Sequence, residues 1–316
     1  MMSKVVILNA GAINYDGQLD FTSIADNVVT YNQTAPEQLG ERTAGATIVV
    51  TKELPMNAES IAQLPESVQM CVEAGTGYNN YDLAALASRG IALTNIPAYS
   101  TARVADTAIM LMLSLASSLQ QQVRMLAAGN HDNFTKHLMV HHVELNGKTL
   151  GVIGYGHIGQ AVIKRALAME MQILVATRTP RADLPGVHFT TQADLLQHSD
   201  VVSLHLPLTP ATHHLIDEAA LAQMKPSAFL INTARGGLVD TDALISALTA
   251  GTLAGAGLDV QEPEPLPADS PLYTMDSVVL TPHIGWRGLE TRQRLVRLIG
   301  DNVHAWLAGA PINRVH

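Results

Sequence analysis

Three glycines spaced Gly154-x-Gly156-x-x-Gly159 sit within TLGVIGYGHIGQAVIKRALAM, between an apolar run and a run with helical apolar periodicity. With a strand before and a helix after, that spacing suits a dinucleotide. Gly154 permits a tight turn, Gly156 lets the backbone approach a pyrophosphate, and Gly159 lets helix and strand pack closely. His157 and Ile158 open the helix, whose first N–H groups and positive dipole end face the phosphates. The next strand-like segment, ILVATRTP over 173–180, ends without the carboxylate that usually holds the adenine ribose hydroxyls. It offers Thr177, Arg178 and Thr179 instead. A carboxylate there would repel a 2′-phosphate, whereas two hydroxyls and a planar guanidinium suit one. A charge-assisted contact contributes about 1.5–3 kcal/mol, so Arg178 alone shifts preference towards NADP over NAD by about one to two orders of magnitude.

The elements that must position these groups are strands and helices in alternation. KVVILNA (4–10), ATIVV (46–50), VQMCVEA (68–74) and IALTN (91–95) read as short buried strands, and DLAALASRG (82–90) as a helix ended by Gly90. A second series runs through KTLGVIG, MQILVAT, SDVVSLHLP, SAFLINTA, LAGAGLDV and SVVLTPHIG, with helices such as DTDALISALTAG between them. Such alternation predicts an α/β fold with parallel sheets. From Ser100 to about Leu126 the pattern predicts one long helix, apolar nearly all round and therefore covered by other structure. A last amphipathic helix is predicted over about 289–308, and QEPEPLPADSPL (261–272) reads as a Pro-rich loop.

At 316 residues, 47% hydrophobic and 15% charged, the chain suffices for about two domains that need no disulfide or metal. A net charge of −9 argues against a nucleic-acid partner held through its phosphates. The single Cys71 excludes an intramolecular disulfide and fits a reducing compartment. The most apolar stretch, AIMLMLSLASSL (108–119), falls short of the roughly 20 residues that cross a bilayer. The opening MMSKVVILNAG lacks the length and cleavage pattern of a signal peptide, so a cytoplasmic protein with no membrane partner is expected. His137, His141, His142 and the pair His213-His214 fit no H-E-x-x-H or Cys-containing ligand pattern, and no metal site is expected.

GYGHIG, EAGTGYNNYDL (73–83), YSTARVADTA (99–108), VSLHLPLTPAT (202–212), NTARGGLVD (232–240), GLDVQEPEP (257–265) and TPHIGW (281–286) together carry a resemblance. Over nearly its whole length the chain resembles the D-isomer-specific 2-hydroxyacid dehydrogenase family. The resemblance implies two α/β domains, Rossmann-like and flavodoxin-like, with parallel sheets and an active-site cleft between them. The substrate domain would be residues 1–99 completed by 287–316, and the dinucleotide-binding domain residues 100–286. It implies an NAD(P)-dependent oxidoreductase, and a homodimer joined through the helix after residue 100.

Carried onto this sequence, the resemblance makes Arg235 the grip on a substrate's carboxylate and carbonyl oxygens and His283 the general acid. Glu264 would hydrogen-bond the imidazole and favour its charged form. Ala74 and Gly75 would present backbone N–H groups to the substrate carboxylate. Thr107, His205, Pro207, Thr212, Thr233, Ala234, Asp259, His283 and Gly285 would line the cofactor, with Asp259 also readable as a strand-end turn former. Two positions depart from the family pattern: Gln261 stands where an aromatic is common, and Asp106 where Glu or Gln is common. Arg178 and the HIGW ending resemble the hydroxypyruvate and glyoxylate reductase branch, which implies reduction of small 2-keto acids to D-2-hydroxy acids. Two other readings stand beside this one. One is an NAD-dependent dehydrogenase of another 2-hydroxy acid, the other a non-catalytic dinucleotide-sensing protein of the same fold.

Overall fold

The computed structural model describes residues 3–179 and 181–315. They divide into two compact units, Met1–Ser100 with Trp286–His316, and Thr101–Gly285. In the first unit β1 (Val5–Ile7), β2 (Val28–Thr30), β3 (Ile48–Thr51), β4 (Met70–Glu73) and β5 (Ala92–Thr94) form a parallel sheet in the order β2-β1-β3-β4-β5. Alternate strand residues point to opposite faces. Val5, Ile7, Val50 and Val72 therefore pack with Leu295, Ile299 and Val303 of the helix Leu289–Leu307. Val6, Val49, Cys71 and Leu93 pack on the other side. Burial pushes the Cys71 thiol up to about 12, which leaves it unreactive.

The last helix belongs to this unit because its polar groups reach back as well as its apolar ones. The buried Arg292 guanidinium donates to both carboxylate oxygens of Asp16, at 2.9 and 2.6 Å, and to Ile13 O at 3.0 Å. That pairing holds the Asp16 carboxyl down at about 2. Asn302 Nδ2 donates to Asn95 O at 2.9 Å.

The second unit holds β6 (Thr149–Ile153), β7 (Gln172–Ala176), β8 (Val187–Phe189), β9 (Val201–Leu204), β10 (Phe229–Asn232), β11 (Gly255–Leu258) and β12 (Val278–Leu280). Their order is β12-β11-β10-β9-β6-β7-β8, all parallel, so the direction of winding reverses between β6 and β9. Open α/β sheets bind ligands outside the carboxyl ends of the strands at such a switch point. The helix Thr101–Ala116 lies close on β11 because that strand has glycines facing it. A Cβ on Gly257 would stand 2.8 Å from Leu111 Cβ, and one on Gly255 3.1 Å from Leu115 Cδ2.

The single long helix expected from Ser100 to Leu126 is instead two, Thr101–Ala116 and Leu119–Ala127, bent by 62°. Ser118 adopts a left-handed conformation (φ 46°), which interrupts the helical hydrogen-bond ladder, and its hydroxyl donates to His141 O at 2.7 Å. The first helix buries Val104, Ala108, Leu111, Met112 and Leu115. The second leaves Leu119, Val123 and Leu126 exposed on one face. Among the described residues no single helix is long and apolar enough to cross a membrane.

Candidate active site

β6 runs straight into the glycine turn. Gly154 has φ +102°, and a Cβ there would run into the backbone carbonyl of His205 at the end of β9. A Cβ on Gly159 would run into Gly154 O, whereas nothing lies within 4 Å of the Cβ position of Gly156. Gly156 precedes the helix His157–Ala168 and brings no side-chain cap, so the first N–H groups remain for an anion. Thr233, just after β10, buries a hydroxyl that has no hydrogen-bond partner among the described residues. An open glycine cradle, an uncapped helix start and an orphaned buried hydroxyl at one sheet edge fit a dinucleotide.

Around that edge Thr177 is half-buried, and Arg178 and Thr179 are exposed beyond β7. Arg181 lies over the Tyr155 ring, 5.1 Å from its centre. Thr212 Oγ1 donates to Pro207 O at 2.8 Å and accepts from Thr209 N at 2.8 Å, which shapes the turn after β9. Thr107 is buried, its hydroxyl donating to Arg103 O at 3.0 Å, and Asp106 pairs with Arg165 at 2.7 Å.

The buried His205 ring meets Ser203 Oγ at 2.8 Å, and burial holds its pKa down at about 3. The unfolded chain takes up this proton below about 6.5, the folded chain only near 3. Stability therefore falls as pH drops through that window. His205→Gln is expected to flatten the decline of Tm between pH 6.5 and about 4, followed by calorimetry of the cofactor-free protein. An unchanged decline would place the acid sensitivity in other groups.

Arg235 follows β10 across a turn set by the buried Asn232, which accepts from Ala234 N at 3.0 Å and donates to Arg235 O at 2.8 Å. The part-buried Arg235 side chain keeps one N–H on Ala234 O at 2.7 Å. The neighbouring Gly236 has no room for a Cβ, because the backbone of Gln261 and Glu262 crosses directly over it. The loop carrying Glu264 is thereby laid against the turn carrying Arg235.

His283 sits after β12 with φ +50°, a conformation that most non-glycine residues avoid unless their surroundings impose it. Asp259, at the end of β11, imposes it. Its Oδ1 accepts from Thr281 Oγ1 (2.5 Å) and Ile284 N (2.8 Å), its Oδ2 from Gly285 N (2.9 Å), and its carbonyl from His283 N (2.9 Å). These bonds make Asp259 the former of the turn that carries His283. His283 Nδ1 meets Glu264 Oε2 at 3.0 Å, and Glu264 Oε1 accepts from Gln261 N at 2.8 Å. Gln261 uses its side-chain amide to donate to Leu258 O and Thr281 O. A cation, an imidazole–carboxylate pair and a dinucleotide cradle thus occupy the carboxyl ends of neighbouring strands of one sheet.

In the first unit the expectation for Ala74 needs correction. β4 keeps its ladder one residue past Glu73, and Ala74 N donates to Thr51 O at 2.7 Å, so this N–H is not available to a substrate. Gly75 N has no such bond among the described residues. Two residues that no sequence motif singled out are almost wholly buried here, Lys52 just after β3 and Glu73 at the end of β4. The Lys52 ammonium pairs with Glu53 and lies 4.2 Å from the centre of the Trp286 ring. Burial disfavours its charge, but Tyr99, Glu53 and Glu73 outweigh that and raise its pKa. Burial pushes the Glu73 carboxyl up to about 6, against the pull of Lys52 and the Asn80 amide. A Cβ on Gly75 would stand 3.3 Å from Lys52 Nζ, so this cluster packs directly under the Gly75 backbone.

The fold and site together define a class, an oxidoreductase that works with a nicotinamide dinucleotide. Residues 109–285 match the family described as D-isomer specific 2-hydroxyacid dehydrogenase, NAD binding domain. The chain is 33% identical over 322 residues to a hydroxypyruvate reductase of Blautia hydrogenotrophica, with 99% of each chain covered. It is 38% identical over 258 residues to a glyoxylate reductase of Korarchaeum cryptofilum, which covers 81% of this chain and 77% of that one. A solved acyclic imino acid reductase in complex with NADPH and D-Arg matches with a TM-score of 0.85 at 26% identity, covering 99% of this chain and 100% of that chain. This chain belongs to the D-isomer-specific 2-hydroxyacid dehydrogenase family.

Proposed function

We propose that the protein reduces small 2-keto acids, glyoxylate and hydroxypyruvate foremost, to D-2-hydroxy acids, and prefers NADPH to NADH. The observation that carries this reading is the 3.0 Å contact between His283 Nδ1 and Glu264, on the sheet edge that also bears Arg235. The bound nicotinamide supplies the hydride. Arg235 holds the substrate carboxylate and polarises the keto oxygen through its planar array of donors. Glu264 engages Nδ1 and turns the imidazole so that Nε2 delivers a proton to the developing alkoxide. Gly75, whose N–H has no backbone partner among the described residues, makes the first unit the substrate domain in this reading, with Thr101–Gly285 the dinucleotide domain.

Relatives named hydroxypyruvate reductase and glyoxylate reductase support the substrate class. The exposed Arg178 between two threonines, with no carboxylate beside it, supports NADPH. The exposed stripe of Leu119, Val123 and Leu126 is the face on which a second copy packs in this reading. A reducing, cytoplasmic setting suits the lone Cys71.

Turnover on a panel of 2-keto acids with each cofactor tests the proposal. kcat/KM with NADPH is expected to exceed that with NADH by about 10–100-fold, and Arg178→Ala to close most of the gap through KM. Equal efficiency with both cofactors would remove the NADPH assignment. NADPH binding without oxidation on any 2-keto acid would replace the enzyme reading with a dinucleotide sensor.

A further inference from the structure

Beside the loop that carries Glu264, the unit Thr101–Gly285 brings two imidazoles and a carboxylate together. His213 and His214 end the turn that follows β9, and Glu262 leads the loop that carries Glu264. His214 Nε2 lies 3.3 Å from Glu262 Oε2, and His213 Nε2 lies 3.6 Å from the same oxygen. One donor atom from each of the three falls within 4.8 Å of the other two. A tetrahedral ion with bonds of about 2.0–2.2 Å keeps its ligand atoms about 3.3–3.6 Å apart. Both measured separations match an edge of such a coordination sphere. We propose that His213, His214 and Glu262 form a site for a divalent ion of the zinc class, with a fourth position open to water.

The backbone around the three residues is already set for this. His214 has φ +51°, and its N–H donates to Gly237 O at 2.8 Å, which fixes the turn against the segment following Arg235. Gly237 lets the carboxylate come close, since a Cβ there would stand 2.9 Å from Glu262 Oε1. On the other nitrogen of His214, Asp240 Oδ2 lies 3.8 Å from Nδ1. That separation is beyond hydrogen-bond distance, so the carboxylate faces the far nitrogen without bonding it. Asp240 is itself held as the cap of the helix Thr241–Ala250, its Oδ1 accepting from Asp242 N and Ala243 N at 3.1 Å.

One rearrangement is required. The two imidazoles stack at 3.8 Å and 24°, so their in-plane lone pairs run side by side instead of converging. The His213 side chain, half-exposed at 50%, has room to swing out of the stack and aim Nε2 at the ion. Imidazole and carboxylate donors suit zinc and its neighbours among the first-row ions. Once bound, the ion ties the turn containing Thr212 to the loop containing Glu264, although neither residue ligates it.

Cobalt(II) added to the untagged full chain gives the first readout, its visible bands reporting tetrahedral coordination, and zinc binding by calorimetry gives the second. One ion per chain is expected, with zinc displacing cobalt and raising Tm by a few degrees. Glu262→Gln and, separately, His213→Asn are each expected to weaken binding at least about 10-fold while keeping the metal-free Tm. His213→Asn changes a half-exposed side chain, so it keeps the test decisive if Glu262→Gln does not fold. Absence of one-to-one binding in the native chain would overturn the site. So would unchanged affinity in both variants, which would place the ion elsewhere, on His137, His141 or His142. None of these readouts passes through turnover, so they stand or fall apart from the proposed reaction.

Discussion

Arg235→Gln is expected to lower kcat/KM for 2-keto acid reduction by about 10²–10⁴-fold while NADPH binding stays near its native value. Two charge-assisted hydrogen bonds at about 1.5–3 kcal/mol each account for that range. The loss should divide between the two kinetic constants. The grip on the carboxylate is the same in ground and transition states and enters KM, whereas polarisation of the keto oxygen grows along the reaction and enters kcat. Arg235→Lys separates charge from shape. It keeps the cation but loses the planar set of donors, so an intermediate loss of about 10–100-fold is expected. The main-chain turn beneath it should persist in both variants, because Asn232 builds that turn from backbone groups. Steady-state kinetics with both cofactors decide the matter, and near-native turnover in Arg235→Lys would mean that the substrate carboxylate is held elsewhere.

How much of the fold is legible in the amino-acid sequence follows from where the information lies along the chain. The strands β6, β7, β9, β10, β11 and β12 were legible because parallel strands covered on both faces are continuous apolar runs bounded by turn formers. The strand β2 is half-buried and only three residues long, and it carries too little pattern to be found. The break at Ser118 was hidden because both flanking segments are good helix formers. A left-handed serine becomes visible only through its bond to His141, 23 residues away. Gly154, Gly156 and Gly159 were legible from their spacing between a strand and a helix, although only Gly159 is required by a contact inside that unit, while Gly154 makes room for the His205 carbonyl beyond β9 and nothing crowds Gly156. Asn232 and Asp259 shape the turns under Arg235 and His283 through hydrogen bonds that spacing does not encode. The same holds for Lys52 with Glu73, brought close because the register of β3 and β4 sets Thr51, the neighbour of Lys52, opposite Glu73, and for His214 with Glu262, 48 residues apart.

His283→Asn is expected to reduce kcat in the direction of keto-acid reduction by about 10²–10⁴-fold, the usual worth of a positioned proton donor. Asparagine is the suitable replacement because it tolerates the left-handed backbone that Asp259 imposes at this position. Glu264→Gln asks a finer question, since it keeps the size and a hydrogen bond at 3.0 Å from Nδ1 but removes the charge. Reduction uses a proton carried by this imidazole, and oxidation of the product uses its free nitrogen. Glu264→Gln is expected to lower kcat for reduction, by less than His283→Asn does, in steady-state kinetics of the two variants side by side. Near-native kcat in Glu264→Gln would mean that a neutral partner on Nδ1 suffices, so that Glu264 acts by orienting the ring and not by its charge.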